Sequence, residues 1–302
     1  MTGLAFDTDF APEFGVAVEL SPLLRRITCN NPGPFTFRGT NTFIIGRGSV
    51  AVVDPGPDDE EHFSSLLKTL RGETVSHIVV THTHMDHSPL AARLSAATGA
   101  KTYGAIFPAN STPGTDIRLD ASIDREFTPD VALADGDVIA GRGWNLEAVF
   151  TPGHLANHMS FSLREEKALL SGDHVMAWAT SVVAPPEGKM NDYMGSLRKL
   201  LKRDEAVYHP AHGPARRDPL PLVQGILAHR EAREEAIYSR VKAGSRSLGE
   251  IVAEVYAGID PQLQGAAALS ALAHLEHLIE KGRIAGRNGV YSTRNGGENA
   301  RS

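Results

Sequence analysis

The densest cluster of potential metal ligands in this sequence lies in the run Thr81–His87, which follows a short apolar stretch. Within six positions the chain places His82, His84, Asp86 and His87. His82 and His84 are two residues apart, so in an extended segment their side chains point to the same face. Asp86 and His87 follow where the chain must turn, which lets all four groups converge. Neutral imidazole nitrogens together with a carboxylate suit Zn²⁺ or a similar divalent ion, and the run therefore predicts a metal centre.

Three further candidate ligands, His154, Asp173 and His212, come later in the chain, each just after a short strand-like segment. Loops that leave neighbouring strands meet at one rim of a sheet, so we expect these side chains to join the first cluster. Singly, each has a simpler explanation, since turn histidines and helix-capping aspartates are common. Together they make seven groups of compatible chemistry, which favours one shared site.

The pattern His82-x-His84-x-Asp86-His87, followed by His154, Asp173 and His212, resembles the metallo-β-lactamase-fold hydrolases from about Pro34 to about Arg216. Within that superfamily the chain looks most like the β-lactamase-like protein 2 subgroup. The stretches that carry this closer resemblance are residues 39–42, 81–89, 151–154, 171–175, 184–188 and 193–197, and the pair His229-Arg230.

The ligand set predicts a dinuclear centre with two Zn²⁺, for which Mn²⁺ or Fe²⁺ are alternatives. We expect one metal at His82, His84 and His154, and the second at Asp86, Asp173 and His212, with Asp173 bridging. The family pattern also places His87 at the second metal. Two such cations would share a hydroxide whose pKa falls from ~15.7 to near neutrality and which attacks a carbonyl carbon or phosphorus. By similarity, Asp86 is the catalytic residue that orients this nucleophile and takes its proton.

Several polar residues near these motifs are candidates for supporting roles. Asp54 resembles an acid that braces the His-rich loop, although a plain strand-end turn explains it almost as well. His158 is a candidate donor to a ligand. Asn41 and Tyr193 are candidate amide and hydroxyl contacts with substrate. We assign the other histidines to surface or structural positions; these are His62, His77, His174, His209, His229, His274 and His277.

Strand-like and helical segments interleave over residues 1–218 without strict βαβ regularity. This predicts two mixed sheets flanked by helices, an α/β (α+β) fold that the resemblance specifies as a four-layer αββα sandwich. Predicted strands cover residues 16–27, 41–45, 50–53, 78–80, 131–139, 146–150, 159–163, 168–170 and 206–208. Predicted helices cover residues 58–70, 89–97 and 190–201.

A second unit is predicted over residues 219–291, with helices at 222–242, 247–256 and 266–281 and a hairpin that turns at Asn288-Gly289. Ser247 and Glu250 form a capping-box pattern at the start of the middle helix. Three helices and a hairpin suggest a winged-helix-like domain. We expect it to dock on the catalytic domain and wall one side of the cleft, with self-association or nucleic-acid binding as alternatives. Residues 292–302 are predicted to be a disordered tail.

Composition narrows the classes of partner. The formal charge of −6 lacks the overall basic character that nucleic-acid binders commonly show, and the basic residues of 198–203 fit a solvated helix face. The single cysteine, Cys29, excludes an intrachain disulfide and fits a reducing compartment. No apolar run approaches the ~20 residues needed to span a bilayer, and the N-terminus lacks a secretion signal. We therefore predict a cytoplasmic protein without a membrane partner, and leave open whether it forms a homodimer.

The sequence thus predicts a dinuclear zinc-dependent hydrolase that uses a metal-bridging hydroxide on a carbonyl or phosphodiester substrate. Two specific alternatives stay open. The subgroup resemblance implies a single-stranded RNA endoribonuclease, whereas a thioester, lactone or lactam hydrolase suits the same ligands. An iron-dependent sulfur oxygenase would use a mononuclear site, and a structural zinc site would be closed by four ligands. The second set of ligands argues against both.

Overall fold

The computed structural model describes residues 4–108, 123–244 and 246–294. Within them the strands are β1 (Ala17–Glu19), β2 (Leu24–Thr28), β3 (Asn41–Arg47), β4 (Ser49–Val53), β5 (Thr74–Val79), β6 (Lys101–Gly104), β7 (Val131–Ala132), β8 (Val138–Gly141), β9 (Trp144–Phe150), β10 (Met159–Leu163), β11 (Ala168–Gly172), β12 (Val207–Pro210), β13 (Arg216–Arg217), β14 (Arg246–Ser247), β15 (Ile284–Arg287) and β16 (Val290–Thr293). The α-helices are α1 (Glu60–Thr69), α2 (Leu90–Thr98), α3 (Met190–Leu200), α4 (Leu220–Lys242), α5 (Leu248–Val255) and α6 (Gln264–Glu280).

Two mixed sheets form the centre of the molecule. The first contains seven strands in the order β1 to β7, antiparallel up to β4 and parallel from β4 onward. The second contains six strands in the order β13-β12-β11-β10-β9-β8, with only the β11–β12 pair parallel. Both sheets therefore combine hairpins with crossovers, as the irregular interleaving of the sequence predicted.

The alternation of side chains along the strands explains the layering. In β3, Phe43 and Ile45 pack between the sheets, whereas Ile44 faces the helices. Successive strand residues point to opposite faces, so each central strand must be apolar on both sides. Helices α1 and α2 cover the first sheet through Leu66 and Leu94.

Helices α3 and α4 cover the outer face of the second sheet. Leu197 of α3 and Val223 of α4 pack with Leu169 and Tyr208 of the sheet in one buried cluster. With α1 and α2 on the opposite side, the order of layers is helix, sheet, sheet, helix. The predicted four-layer αββα sandwich is confirmed.

The C-terminal part has its own apolar core. Ile237 and Val241 at the end of α4 pack against Ile251 of α5, Leu275 of α6 and Ile284 of β15. Strands β14, β16 and β15 form a three-stranded antiparallel sheet beside the helices. This is the helix-and-hairpin arrangement predicted for a winged-helix domain. The capping box predicted at α5 is present, with Ser247 accepting from Glu250 N and the Glu250 carboxylate accepting from Ser247 N.

Four of the differences between the predicted segments and the structure have a clear physical cause or change an earlier assignment. The strand expected over residues 16–27 is split into β1 and β2 by a turn that contains Pro22, which cannot donate to a ladder. The strand expected over residues 131–139 is also two strands. They belong to different sheets, since Gly136, with φ +85°, turns the chain between β7 and β8. Helix α4 begins at Leu220, because a proline at position 221 is tolerated in the first turn.

The fourth difference concerns the predicted disordered tail over residues 292–302. Ser292 and Thr293 instead pair with Ala285 and Ile284 in the β15–β16 hairpin, so the prediction is wrong for these two residues. Residues 295–302 lie outside the described residues. Among the residues that are described, no helix is both long and apolar enough to cross a membrane.

Candidate metal centre

The site lies where strands of the two central sheets end. Asp54 follows β4, the His-rich run follows β5, His154 follows β9, Asp173 follows β11 and His212 follows β12. The two sheets meet at this rim, where Asn41 N donates to Ala211 O at 2.7 Å. The predicted placement of the candidate ligands at strand-to-loop junctions is therefore confirmed.

Four ligand atoms from His82, His84, His154 and Asp173 lie within 4.8 Å of one another. His84 Nδ1 is 2.9 Å from His82 Nε2 and 3.1 Å from His154 Nε2. Three imidazole nitrogens that face one another so closely cannot all be protonated. Nitrogens bound tetrahedrally to one Zn²⁺ at 2.0–2.1 Å would stand about 3.3 Å apart. The spacing thus fits a single cation between them.

A second group consists of Asp86, His87 and His212, whose ligand atoms also lie within 4.8 Å of one another. Asp86 Oδ2 is 3.3 Å from His87 Nε2 and 3.2 Å from His212 Nε2. Asp173 lies between the two groups, with Oδ2 3.6 Å from His154 Nε2 and Oδ1 3.4 Å from His212 Nε2. All seven candidate ligands are therefore brought together, with Asp173 between the two groups.

Contacts behind the ligands fix their orientation. Asp54 has φ +49°, unusual for a residue other than glycine, and its carboxylate accepts from Thr81 N and Oγ1, both at 2.7 Å, and lies 3.0 Å from His87 Nδ1. Asp54 thus ties the His-rich loop to β4. His158 Nε2 accepts from Asp173 N at 3.1 Å, and its Nδ1 lies 3.0 Å from Thr151 Oγ1. Asp54 therefore contacts the His-rich loop as expected, whereas His158 accepts from the backbone of Asp173 instead of donating to a ligand, so the expected direction of that hydrogen bond is wrong.

The electrostatics of the site favour the binding of cations. Burial, together with neighbouring imidazoles, lowers the pKa of His82 and lowers that of His84 to about 3, so both are neutral. Burial acts to lower the pKa of His212 as well, but the carboxylates of Asp173 and Asp86 raise it to about 10. Moreover, neither His87 Nε2 nor Asp173 Oδ1 makes a well-formed hydrogen bond within the described residues. Divalent cations would satisfy these groups, so the residues present fit a metal centre.

Comparison with known proteins agrees with this geometry. The sequence profile described as Metallo-beta-lactamase superfamily matches residues 35–212, and the Beta-lactamase associated winged helix domain matches residues 247–289. The chain belongs to the metallo-beta-lactamase superfamily. It is a hydrolase of that superfamily with a His/Asp cluster able to bind metal, and the predicted fold and family are confirmed.

Relatives extend over most of the chain. The Beta-lactamase-like protein 2 homolog of Caenorhabditis elegans is 31% identical over 268 residues, which are 87% of this chain and 85% of that protein. The Atrochrysone carboxyl ACP thioesterase of Aspergillus terreus is 32% identical over 276 residues, 85% of this chain and 79% of that protein. The crystal structure of a Beta-lactamase domain protein from Burkholderia ambifaria has a TM-score of 0.78 at 22% identity, covering 96% of this chain and 97% of that one. The last similarity concerns the fold alone.

Two residues predicted to contact substrate serve the scaffold of this metallo-beta-lactamase fold instead. Asn41 is buried, and its Nδ2 donates to the carbonyls of Pro210 and Gly213, both at 3.1 Å, which fixes the loop around His212. Tyr193 is also buried and donates to His174 O at 3.0 Å. The prediction is wrong for both, because a polar side chain beside a metal loop can equally well satisfy the backbone of that loop.

A cavity of about 1090 Å³ opens from the ligand cluster and reaches the C-terminal domain. Its floor includes His84, Asp86, His154, Asp173 and His212. The wall opposite is formed by α4, by the segment after α5 and by α6, and it contributes His229, Arg230, Arg233, Tyr256, Ile259, Leu263 and Leu269. The predicted docking of the C-terminal domain beside the cleft is confirmed.

Most residues of this wall could not be identified from the sequence. His229, assigned to a surface or structural position, is half-buried and lines the cavity. The available signal is the arginine pair Arg230 and Arg233, which are three residues apart and hence neighbours on one helical face. Trp178, which stacks on Phe37 at a centroid distance of 4.7 Å and also lines the cavity, gives no signal in the sequence.

Proposed function

We propose that this protein is a dinuclear zinc-dependent hydrolase that cleaves thioesters or similarly activated carbonyl compounds. The observation that carries the proposal is the arrangement of seven ligand groups in two sets around Asp173, at the floor of a cavity that the C-terminal domain closes on one side. In this proposal His82, His84 and His154 hold one ion, and Asp86, His87 and His212 hold the other, with Asp173 shared.

The bound ions would supply Lewis acidity, which lowers the pKa of water and neutralises charge on the reacting carbonyl oxygen. The residues of the chain supply position and proton transfer. Asp86 is the more accessible of the two carboxylates, with 22% of its side chain exposed against 9% for Asp173. Thr40 Oγ1 donates to Asp86 Oδ2 at 3.3 Å and fixes its orientation. Asp86 is therefore the group placed to accept a proton from water that enters the cavity.

The lining of the cavity favours a carbonyl substrate. The wall formed by Ile259, Leu263 and Leu269 suits an apolar acyl group, as most small-molecule sites combine apolar walls with a few polar groups. Relatives that are 32% identical carry the name Atrochrysone carboxyl ACP thioesterase, which supports a thioester as the first class to test. The formal charge of −6 opposes approach of a polyanionic RNA strand.

The experiment compares substrate classes under one set of conditions. The full-length protein, loaded with defined Zn²⁺ or Mn²⁺, is assayed on acyl-pantetheine thioesters, a lactone, a β-lactam and single-stranded RNA. We expect metal-dependent turnover of the thioesters at a kcat/KM well above that of the other classes. Cleavage of RNA without turnover of any carbonyl substrate would contradict the proposal and favour the endoribonuclease alternative. The chelator-treated protein serves as the control for metal dependence.

A further inference from the structure

Two arginines of α4 line the cavity, and they differ in burial and in the groups that their guanidiniums contact. Arg230 is buried, and its guanidinium donates to Ser181 O and, at 3.3 Å, to Ser270 Oγ. The guanidinium of Arg230 is thus held by groups of the protein itself, not by groups of a ligand. Arg233, one turn further along, lies with its guanidinium carbon 4.3 Å from the centre of the Tyr256 ring and donates through Nη1 to Val255 O. Its orientation is fixed by a ring and a neutral carbonyl.

No carboxylate of the described residues forms an ion pair with Arg233. Other arginines nearby are neutralised: Arg198 by Glu231 at 2.8 Å, Arg240 by Glu254 at 3.3 Å and, on another wall of the cavity, Arg125 by Glu187 at 3.0 Å. A guanidinium that is oriented by its surroundings but not neutralised is suited to bind an anion through its remaining N–H groups. Because Arg233 lines the cavity, that anion would belong to a molecule bound there.

We propose that Arg233 and Tyr256 form a subsite for an anionic group of the substrate, a carboxylate or a phosphate, remote from the scissile carbonyl. This inference rests on the proposed function and narrows it to thioesters that bear such a charge. The apolar residues Ile259 and Leu263 share this wall and would contact the carbon chain of the substrate.

The charge has two possible sources in an acyl thioester. One is a carboxylate at the far end of the acyl group, and the other is the phosphate of a phosphopantetheine leaving group. Both present oxygen acceptors that a guanidinium binds in the same way. Four substrates separate them: a pantetheine and a 4′-phosphopantetheine thioester, each with hexanoate and with its ω-carboxylate analogue, adipate.

The test compares the zinc-loaded full-length protein with Arg233→Gln and with Arg240→Gln. The second variant removes the same charge from the same helix, at a position that pairs with Glu254 and does not line the cavity. We expect the wild type and Arg240→Gln to prefer the charged substrate over its neutral partner. Arg233→Gln should lose this preference, chiefly through KM and on the order of 10- to 100-fold, as hydrogen bonds to charged groups are worth. Loss on adipoyl substrates assigns a carboxylate, and loss on phosphopantetheine substrates assigns a phosphate.

Two further measurements keep the outcomes distinct. Arg233→Lys retains the charge and should keep part of the preference for the charged substrate. Equal losses of activity by Arg233→Gln on neutral and charged substrates would overturn the subsite, and so would an equal effect of Arg240→Gln. If the wild type hydrolyses no thioester, the proposed function fails. Calorimetric titration of the zinc-loaded protein with adipate and with 4′-phosphopantetheine then decides the subsite. Binding that Arg233→Gln weakens at least tenfold supports it, and equal binding by both proteins refutes it.

Discussion

Arg230 of α4 donates a hydrogen bond from Nη2 to the carbonyl oxygen of Ser181. The next carbonyl along the chain, that of Val182, lies 2.6 Å from Nδ1 of His154, and Ser181 Oγ lies 3.2 Å from the same nitrogen. The helix that links the two domains is thus only one loop away from a proposed metal ligand. The contact of Arg230 with Ser270 of α6 extends this connection into the C-terminal domain.

The first prediction is that Arg230→Gln weakens metal binding without removing a ligand. The substitution would remove the hydrogen bond from Arg230 to the carbonyl of Ser181. The loop whose Ser181 and Val182 contact His154 Nδ1 would then be less rigid, and so would the orientation of His154. We expect a decrease in metal affinity of about tenfold, the lower end of the cost of losing a partner behind a ligand. Competition with a chromogenic chelator measures the affinity, and the visible spectrum of the Co²⁺ form reports the geometry. Arg198→Gln, at an exposed pair with Glu231, is the matched control. Unchanged affinity and spectrum in Arg230→Gln would contradict this coupling.

The second prediction concerns the number of metals. The protein should bind two equivalents of Zn²⁺, because the seven ligand groups fall into two sets that share Asp173. Elemental analysis after dialysis against defined zinc measures this number. Metal should also raise thermal stability, by about 4 kcal/mol at a free concentration 1,000 times Kd. Full activity with a single equivalent would rule out the dinuclear assignment, and activation by iron alone would favour the oxygenase alternative.

The convergence of the candidate ligands could be predicted from the sequence because they follow short apolar strands, and the ends of neighbouring strands meet at one rim. His154 and His212 needed that rule together with the run Thr81–His87, because taken singly each could be a turn histidine. The wall of the cavity could not be predicted this way. Arg233 and Tyr256 are brought together by the packing of α4 against α5, which local patterns do not encode.

The polar residues of the scaffold show the same limit. Asn41 contacts carbonyls of residues 210 and 213, and nothing near Asn41 in the sequence marks these as its partners. Whether a buried amide serves a substrate or a loop depends on which backbone groups the fold leaves unpaired. The interpretation of Tyr193 as a substrate contact is wrong for the same reason, since its partner, the carbonyl of His174, is 19 residues away in the sequence.

The third prediction is that Asp86→Asn reduces turnover beyond any loss of metal. The amide would keep an oxygen ligand but could not take a proton. We expect kcat to fall on the order of 10²- to 10⁴-fold, the usual value of general acid–base help. Asp58→Asn, which alters an exposed ion pair with Arg93, should leave kcat unchanged. Near-normal turnover in an Asp86→Asn protein that binds both metals would exclude the assigned role.

The fourth prediction compares two glycines at helix α3. One packs against the helix from outside, and the other lies within it. Gly153 has φ +133°, and a Cβ at this position would overlap the backbone N and Cα of Tyr193 in α3. Gly153→Ala should destabilise the protein by about 2–4 kcal/mol, from strained backbone and overpacking together. Gly195 lies in α3, and a Cβ added there would meet no atom within 4 Å, so Gly195→Ala should stabilise by up to about 1 kcal/mol. Thermal or urea unfolding measures both, and equal effects would contradict the packing.

The last prediction concerns Glu234, a buried carboxylate of α4. Its Oε2 lies 2.6 Å from His277 Nδ1, and its Oε1 accepts from Lys281 Nζ at 2.8 Å. Burial acts to raise the pKa of Glu234, but His274, His277 and Lys281 outweigh it and lower this pKa well below the usual range. Burial also lowers the pKa of His274 to about 4.

Both shifts make the folded state bind fewer protons than the unfolded chain in acid. A carboxyl group whose pKa is depressed in the folded state contributes its full stabilisation above the unfolded pKa of about 4.3. This contribution is lost as the pH falls from the unfolded pKa through the folded pKa. His274 adds a further loss of stability between about pH 6.5 and its folded pKa of about 4, because in this range only the unfolded chain binds a proton on this residue. The stability of the C-terminal domain should therefore decrease steadily from about pH 7 towards about pH 3.

Glu234→Gln should cost about 1.5–3 kcal/mol at neutral pH, because the hydrogen bonds of the ionised carboxylate to His277 and Lys281 are lost. The cost should be progressively smaller below about pH 4.3, because there the carboxyl of the unfolded wild-type chain takes up a proton while that of the folded protein stays ionised. Glu235→Gln, at an exposed pair with Arg283, should cost at most about 1 kcal/mol at any pH. Urea unfolding across this pH range measures the difference, and a penalty for Glu234→Gln that does not shrink in acid would refute the ionised contact.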